Sequence, residues 1–224
     1  MTTSAELKRY VVPILERFSE LGFTRRWLVV KPLQHVFRGI LLDATLPRDE
    51  YRPQWFAIEM FGSVPSLSPM HGFFLGRRGH GPFSILDPRS LGRLADEIER
   101  VALPRLRPIA SIGDFIGHAN LTEFSFPPVS DYPLRYSVLE AARGNFKSAR
   151  GICEWLKSGR SGWTGPGLED EYRPILEDLY PLLRDEDRAG LARLLHAWEA
   201  RNIATYRLER MWEPTPFPFE VAAG

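Results

Sequence analysis

A single cysteine, Cys153, leaves no internal disulfide for this chain to form and suits a reducing compartment. Lysine is nearly as sparse, occurring only as Lys8, Lys31, Lys147 and Lys157, so arginine carries almost all the positive charge. Guanidinium forks favour phosphate recognition, but that use predicts clustering. These arginines are spread along the sequence, and a compositional bias accounts for them. No uninterrupted apolar run reaches membrane length, and the opening M-T-T-S-A-E-L-K-R-Y lacks the basic-then-apolar order of a signal peptide. The expectation is therefore a cytoplasmic protein with no membrane contact. A net charge of +1 gives no general field for nucleic acid.

Catalytic spacings are missing as well. There is no G-x-S-x-G elbow, P-loop or dinucleotide fingerprint, and His35, His71, His80, His118 and His196 show neither H-x-x-x-H nor H-E-x-x-H spacing. No cofactor and no metal are expected. Cys153, between Ile152 and Glu154, reads as a buried small hydrophobe, since the adjacent carboxylate opposes a thiolate. His71 and His80 flank one glycine-rich tip and are the histidine pair to test.

What is present is a run of strands behind a helix. Leu7, Val11, Ile14 and Phe18 recur at helical spacing until Gly22, with Thr3 and Glu6 spaced as a capping box and Pro13 either kinking the helix or beginning its regular part. Arg26 to Val30, His35 to Asp43 and Gln54 to Phe61 are rich in β-branched and aromatic residues and are joined by short proline-containing connections, which favours an antiparallel meander. Met70 to Leu75 reads as a fourth strand. Both faces of the His35 to Asp43 run are mostly apolar, so the sheet should be covered on both sides. Asp87 and Pro88 then start a helix that Pro104 should stop, and Ser111 with Asp114 starts a short one.

The proline-rich stretch from Phe124 to Pro133 divides the chain into an α+β sheet domain, residues 1–128, and a helical region with an extended proline-aromatic tail, residues 129–224. Tyr136 to Arg143 and Phe146 to Leu156 form a helical hairpin with Leu139, Ala142, Ala149, Ile152 and Trp155 as contacts. Leu168 to Arg184, kinked at Pro174 and Pro181, and Ala189 to Met211 form two longer helices. Acidic runs at Glu169 to Glu171 and Asp185 to Asp187 fall at helix starts, where carboxylates complement the dipole. The tail should pack back on the body.

Two sets of residues are candidates for binding. The tip G-R-R-G-H-G offers backbone amides beside Arg77, Arg78 and His80, the ingredients of an anion nest. Trp163, in a glycine loop, and Trp212, Phe217 and Phe219, around the proline tail, fall on no clear core stripe and are candidate contacts for a partner.

The helix ending in E-L-G-F-T-R-R, the strand H-V-F-R-G-I and the aromatic strand W-F-A-I-E-M-F give the first third to half of the chain a pattern that resembles a bacterial family catalogued as domain of unknown function 4304. The resemblance implies immunity-type or defence-associated action and brings no catalytic residues. The functional expectation is a non-enzymatic protein-binding module. The alternatives are a nucleotide- or anion-binding enzyme using the Gly76 to Gly81 tip, and a subunit of a larger assembly docking through Pro214 to Phe219.

Overall fold

The computed structural model describes residues 4–44, 49–76, 83–121, 128–159 and 169–221. Helix α1 (Ser4–Arg17) precedes strands β1 (Leu21–Thr24), β2 (Trp27–Val30), β3 (Val36–Ala44), β4 (Glu50–Glu59), β5 (His71–Phe74) and β6 (Phe83–Ser84). Every pairing is antiparallel, in the order β1-β2-β3-β4-β5, with β6 also pairing with β4. The chain is an α+β protein. The three expected strands and the fourth are present, but the residues read as the end of the first helix form β1 instead. Four residues containing a glycine carry too little periodicity to register as a strand. β4 also begins earlier than expected and runs through Pro53. The Pro53 carbonyl accepts from Leu75 N–H at 2.7 Å, on the β5 side, so its missing donor falls at the sheet margin and not in the long β3–β4 ladder.

Helices follow as α2 (Pro88–Glu97), α3 (Leu103–Leu106), α4 (Ile112–Ala119), α5 (Pro133–Ala142), α6 (Phe146–Lys157), α7 (Glu169–Pro174), α8 (Tyr180–Arg184), α9 (Arg188–Tyr206) and α10 (Pro218–Val221). Asp87 caps α2 as expected, and Asp187, the last residue of an acidic run expected at this helix start, caps α9 with its carboxylate. Pro13 lies inside a continuous α1. Pro104 does not stop the helix it sits in. A π turn over Ile98–Ala102 leads into α3, and a second over Ile175–Leu179 leads into α8, each ending two residues before a proline, Pro104 and Pro181. The wider turn accommodates a ring that would otherwise meet the carbonyl four residues back. The Thr3–Glu6 capping box lies outside the described residues.

Both sheet faces are buried, by unequal partners. Val36, Ile40, Leu42, Trp55 and Ala57 join the large core, together with residues of α1 to α6, α8 and α9 from both sides of Pro128. Val29, Phe37, Phe56 and Ile58 form a smaller core on the other face, closed by Leu33, Leu67, Ile203 and Leu208. Most of the helical region therefore extends the first core, and only the end of α9 and the chain after it cover the second face. Within the α5–α6 hairpin the buried residues of α6 are Ala149, Cys153 and Leu156. This corrects the expected contact set, because Ile152 is half-buried and Trp155 is 41% exposed.

Candidate functional site: a histidine–glutamate chain and an apolar helix face

Helix α9 carries two polar residues on its buried stripe, Glu199 and Asn202, where Leu191 and Leu195 set an apolar face. Asn202 Nδ2 donates to the carbonyls of Met60 (2.8 Å) and Gly62 (3.0 Å), and the neighbouring Arg201 donates to Ser63 O at 2.6 Å. Together they fasten α9 to the chain leaving β4. A glutamate at 0% exposure must be paired, and Glu199 is met by His35 Nδ1 at 3.2 and 3.3 Å. His35 Nε2 faces Pro216 O and Thr215 Oγ1, each at 3.2 Å. His196, one turn before Glu199, has Nδ1 at 3.9 Å from the same carboxylate and Nε2 at 2.9 Å from Glu220 Oε2.

Glu220 also accepts from the Phe217 backbone N–H at 2.7 Å, as the third residue of a capping box does for α10. Phe217 lies between the two imidazoles, stacked on His35 at 4.1 Å and tilted against His196 at 4.7 Å. Two imidazoles and two carboxylates thus alternate around one phenylalanine ring. The Thr215 hydroxyl can donate to an unprotonated His35 Nε2, and the Pro216 carbonyl can accept from a protonated one, so the ring is satisfied in either state.

This arrangement holds the carboxyl-terminal segment on the body. The crevice beside it, between Gln34, His35, Arg38 and the Ile109–Ile112 stretch, measures about 30 Å³, room for roughly one water. A double-mutant cycle with His35→Phe and Glu199→Gln is expected to give a coupling of about 1–3 kcal/mol in urea unfolding. A coupling of zero would mean the two groups merely coexist.

A second buried pair joins the sheet to the helical region. Arg135 of α5 donates to Glu59 of β4 through Nε (2.7 Å) and Nη2 (2.5 Å), a bidentate fork, and its Nη1 lies 3.3 Å from Met70 Sδ. His71 lies close by and is fully buried. Burial first, then the positive charges of Arg135 and His118, push its imidazole down to about 3. Cys153 is buried and its thiol is pushed up to about 12, chiefly by burial, which leaves it a packing residue at neutral pH. Among the described residues no group of three or more His, Cys, Asp or Glu is placed to hold a metal ion, and no helix is long and apolar enough to cross a membrane.

The residues singled out from the sequence come together only in part. Arg77, Arg78, His80 and Trp163 lie outside the described residues. Phe217 and Phe219 are core residues at 0% and 5% exposure, stacked on one another at 6.1 Å, so neither is offered to a partner. Trp212 is half-buried against the smaller core, and among the described residues its buried indole nitrogen has no hydrogen-bond partner. The sequence reading missed the His35–Glu199 pair, although a glutamate four residues after Leu195 on an apolar stripe was a visible signal.

At the surface, α6 turns Trp155 outward beside the half-buried Ile152. With Asn145, Lys147, Ser148 and Gly151 they line an open depression of about 500 Å³. A Cβ at Gly151 would meet nothing within 4 Å, so a partner's backbone can approach there. No family model, curated protein or solved structure matches the chain.

Proposed function

We propose that the protein acts by binding another protein, without chemistry of its own, through the outer face of α6. The observation that carries this reading is Trp155, 41% exposed on a helix whose inner stripe of Ala149, Cys153 and Leu156 already supplies its folding contacts. Ile152 beside it still packs on the large core, so Trp155 is the surplus apolar residue of this face, and it is of the type that dominates binding energies. The helix bears Lys147, Arg150 and Lys157 against one carboxylate, Glu154. The partner that fits is an amphipathic helix with apolar residues at its centre and carboxylates on its margins. Defence-associated action by occupying a surface, as the strand pattern's resemblance implies, is compatible with this mode.

The test places a photocrosslinker at Ser148, identifies the captured protein, purifies it and measures its affinity directly. Trp155→Ala should weaken a one-to-one complex by about tenfold or more, roughly 1.4 kcal/mol, while leaving the thermal midpoint nearly unchanged. An unchanged affinity would refute the reading, as would a face filled by a second copy of the chain in sedimentation.

A further inference from the structure

We infer that the end of the sheet formed by the β1–β2 hairpin and the chain after α9 is a docking site for an extended, acidic polypeptide. The inference stands apart from the α6 face and rests on different residues. Arg25 and Arg26 form the two-residue turn between Thr24 and Trp27, and Lys31 follows β2. Arg207 and Arg210 arrive from the other end of the sequence. Thr24 Oγ1 donates to the Arg207 carbonyl at 3.2 Å, and Leu33 N–H donates to the Met211 carbonyl at 2.8 Å. The fold thus gathers five cations that the sequence separates into two groups. Arg25, Lys31, Arg207 and Arg210 are exposed and Arg26 is half-buried. Among the described residues, no carboxylate forms an ion pair with Lys31, Arg207 or Arg210. Of the nearby carboxylates, Glu20 is engaged by Arg107 at 2.5 Å and Asp43 lies opposite Arg52, while Glu209 and Glu213 bracket the patch.

Of the three described non-glycine residues with positive φ, two lie here, and the third, Glu186, sits between α8 and α9. Arg25 and Arg207 have φ of 53° and 58°, in the left-handed region. Glycine or asparagine ordinarily occupies such a hairpin turn and such a helix end. Two arginines held there, on the two sides of one hydrogen bond, retain charge at some cost to stability, as binding sites do.

The sheet edge supplies the second half of the argument. β1 is the outermost strand, and the bond from Lys31 N–H to the Glu20 carbonyl, 2.8 Å, sets the hairpin's parity. Gly22 and Thr24 then face β2, and the Phe23 N–H and C=O point outward. A strand added at Phe23 would lie between Arg25 at the turn and Lys31 about 13 Å away at the open end. Its carboxylates would meet guanidinium forks while its backbone paired with the edge. A nucleic acid needs a longer basic track than one bracketed by Glu209 and Glu213.

The experiment uses the full chain and a fluorescein-labelled peptide of alternating glutamate and valine, followed by anisotropy at low and high salt. Saturable binding is expected below about 1 mM, weakening with salt. Arg25→Gly with Arg207→Gly removes both charges and relieves both left-handed positions, so this variant should fold at least as well as the parent. It should nevertheless bind about tenfold more weakly. Trp155→Ala should bind the peptide as the parent does. A glutamate–proline peptide, which keeps the charge but cannot pair as a strand, should bind several-fold more weakly than the valine one. The inference is overturned by no saturable binding at 1 mM, by equal binding to the glycine variant, by equal binding of the proline peptide, or by tighter binding to single-stranded DNA or to phosphatidylserine vesicles.

Discussion

Between pH 7 and pH 4 the protein is expected to lose about 3 kcal/mol of folding stability through one side chain, His71. Its ring is fully buried at the start of β5, opposite Ala57 and against Phe115. Burial holds its imidazole down to about 3, with Arg135 and His118 adding to the effect, whereas in the unfolded chain it titrates near 6.5. Below the unfolded value the unfolded chain takes up a proton that the folded chain refuses, so stability falls as pH drops through that window. The loss levels off only near the folded value. Each unit of difference corresponds to about 1.4 kcal/mol, and a pH of 4 spans most of it. Other groups contribute to acid sensitivity, so the comparison that isolates His71 is the difference between the parent and His71→Phe. Urea midpoints measured at pH 7, 6, 5 and 4 should diverge, with the parent falling more steeply. Parallel curves would show that the ring is accessible to protons in the folded state.

Arg135 also helps make the two parts of the chain one packing unit. A bidentate guanidinium–carboxylate pair at low exposure is costly to bury and costlier to leave half-made. The Glu59–Arg135 fork ties β4 to α5 across the proline stretch, and the large core contains residues from both sides of it. The sequence marked that stretch as a boundary because prolines break periodicity. Whether a break in periodicity is also a break in packing depends on contacts between distant residues, which local pattern does not carry. The same limit applies to Glu59, which reads as an ordinary polar residue in an aromatic strand until Arg135 is brought to it.

The strands with dense β-branched and aromatic content were legible, as were the caps at Asp87 and Ser111, because their signals are local. β1 was not, since four residues with one glycine lack a period. In α6 the sequence pattern favours Ile152 and Trp155 for the inner stripe, because the largest apolar residues usually go inside. The structure buries Cys153 and Leu156 and turns Trp155 outward. The basic end was hidden for a different reason. Its cations lie far apart in the sequence, and the Thr24–Arg207 and Leu33–Met211 contacts gather them in the folded chain.

Ending the chain at Glu213 is expected to destabilise the whole protein, in contrast to what an assembly tail would do. Phe217 is completely buried, with ring neighbours His35, His196, Phe61 and Phe219. Phe217→Ala alone should cost about 3–5 kcal/mol, the usual range for a large aromatic removed from a core. The truncation removes Phe219 as well, together with Thr215, Pro216 and Glu220, and so strips polar partners from His35 and His196. Glu199 would then share a newly wetted space with two imidazoles and no ring to separate them. The total should exceed the single substitution and approach the full stability of a domain this size. Urea unfolding gives the magnitude, and hydrogen exchange gives the mechanism. If the segment is part of the core, protection should fall along the buried stripe of α9 from Leu191 to Ile203, well before the amide protons of β3 and β4 are affected. A truncated chain with the parent's midpoint and undisturbed α9 protection would instead make the segment an appendage, and would return Phe217 and Phe219 to the role of partner contacts.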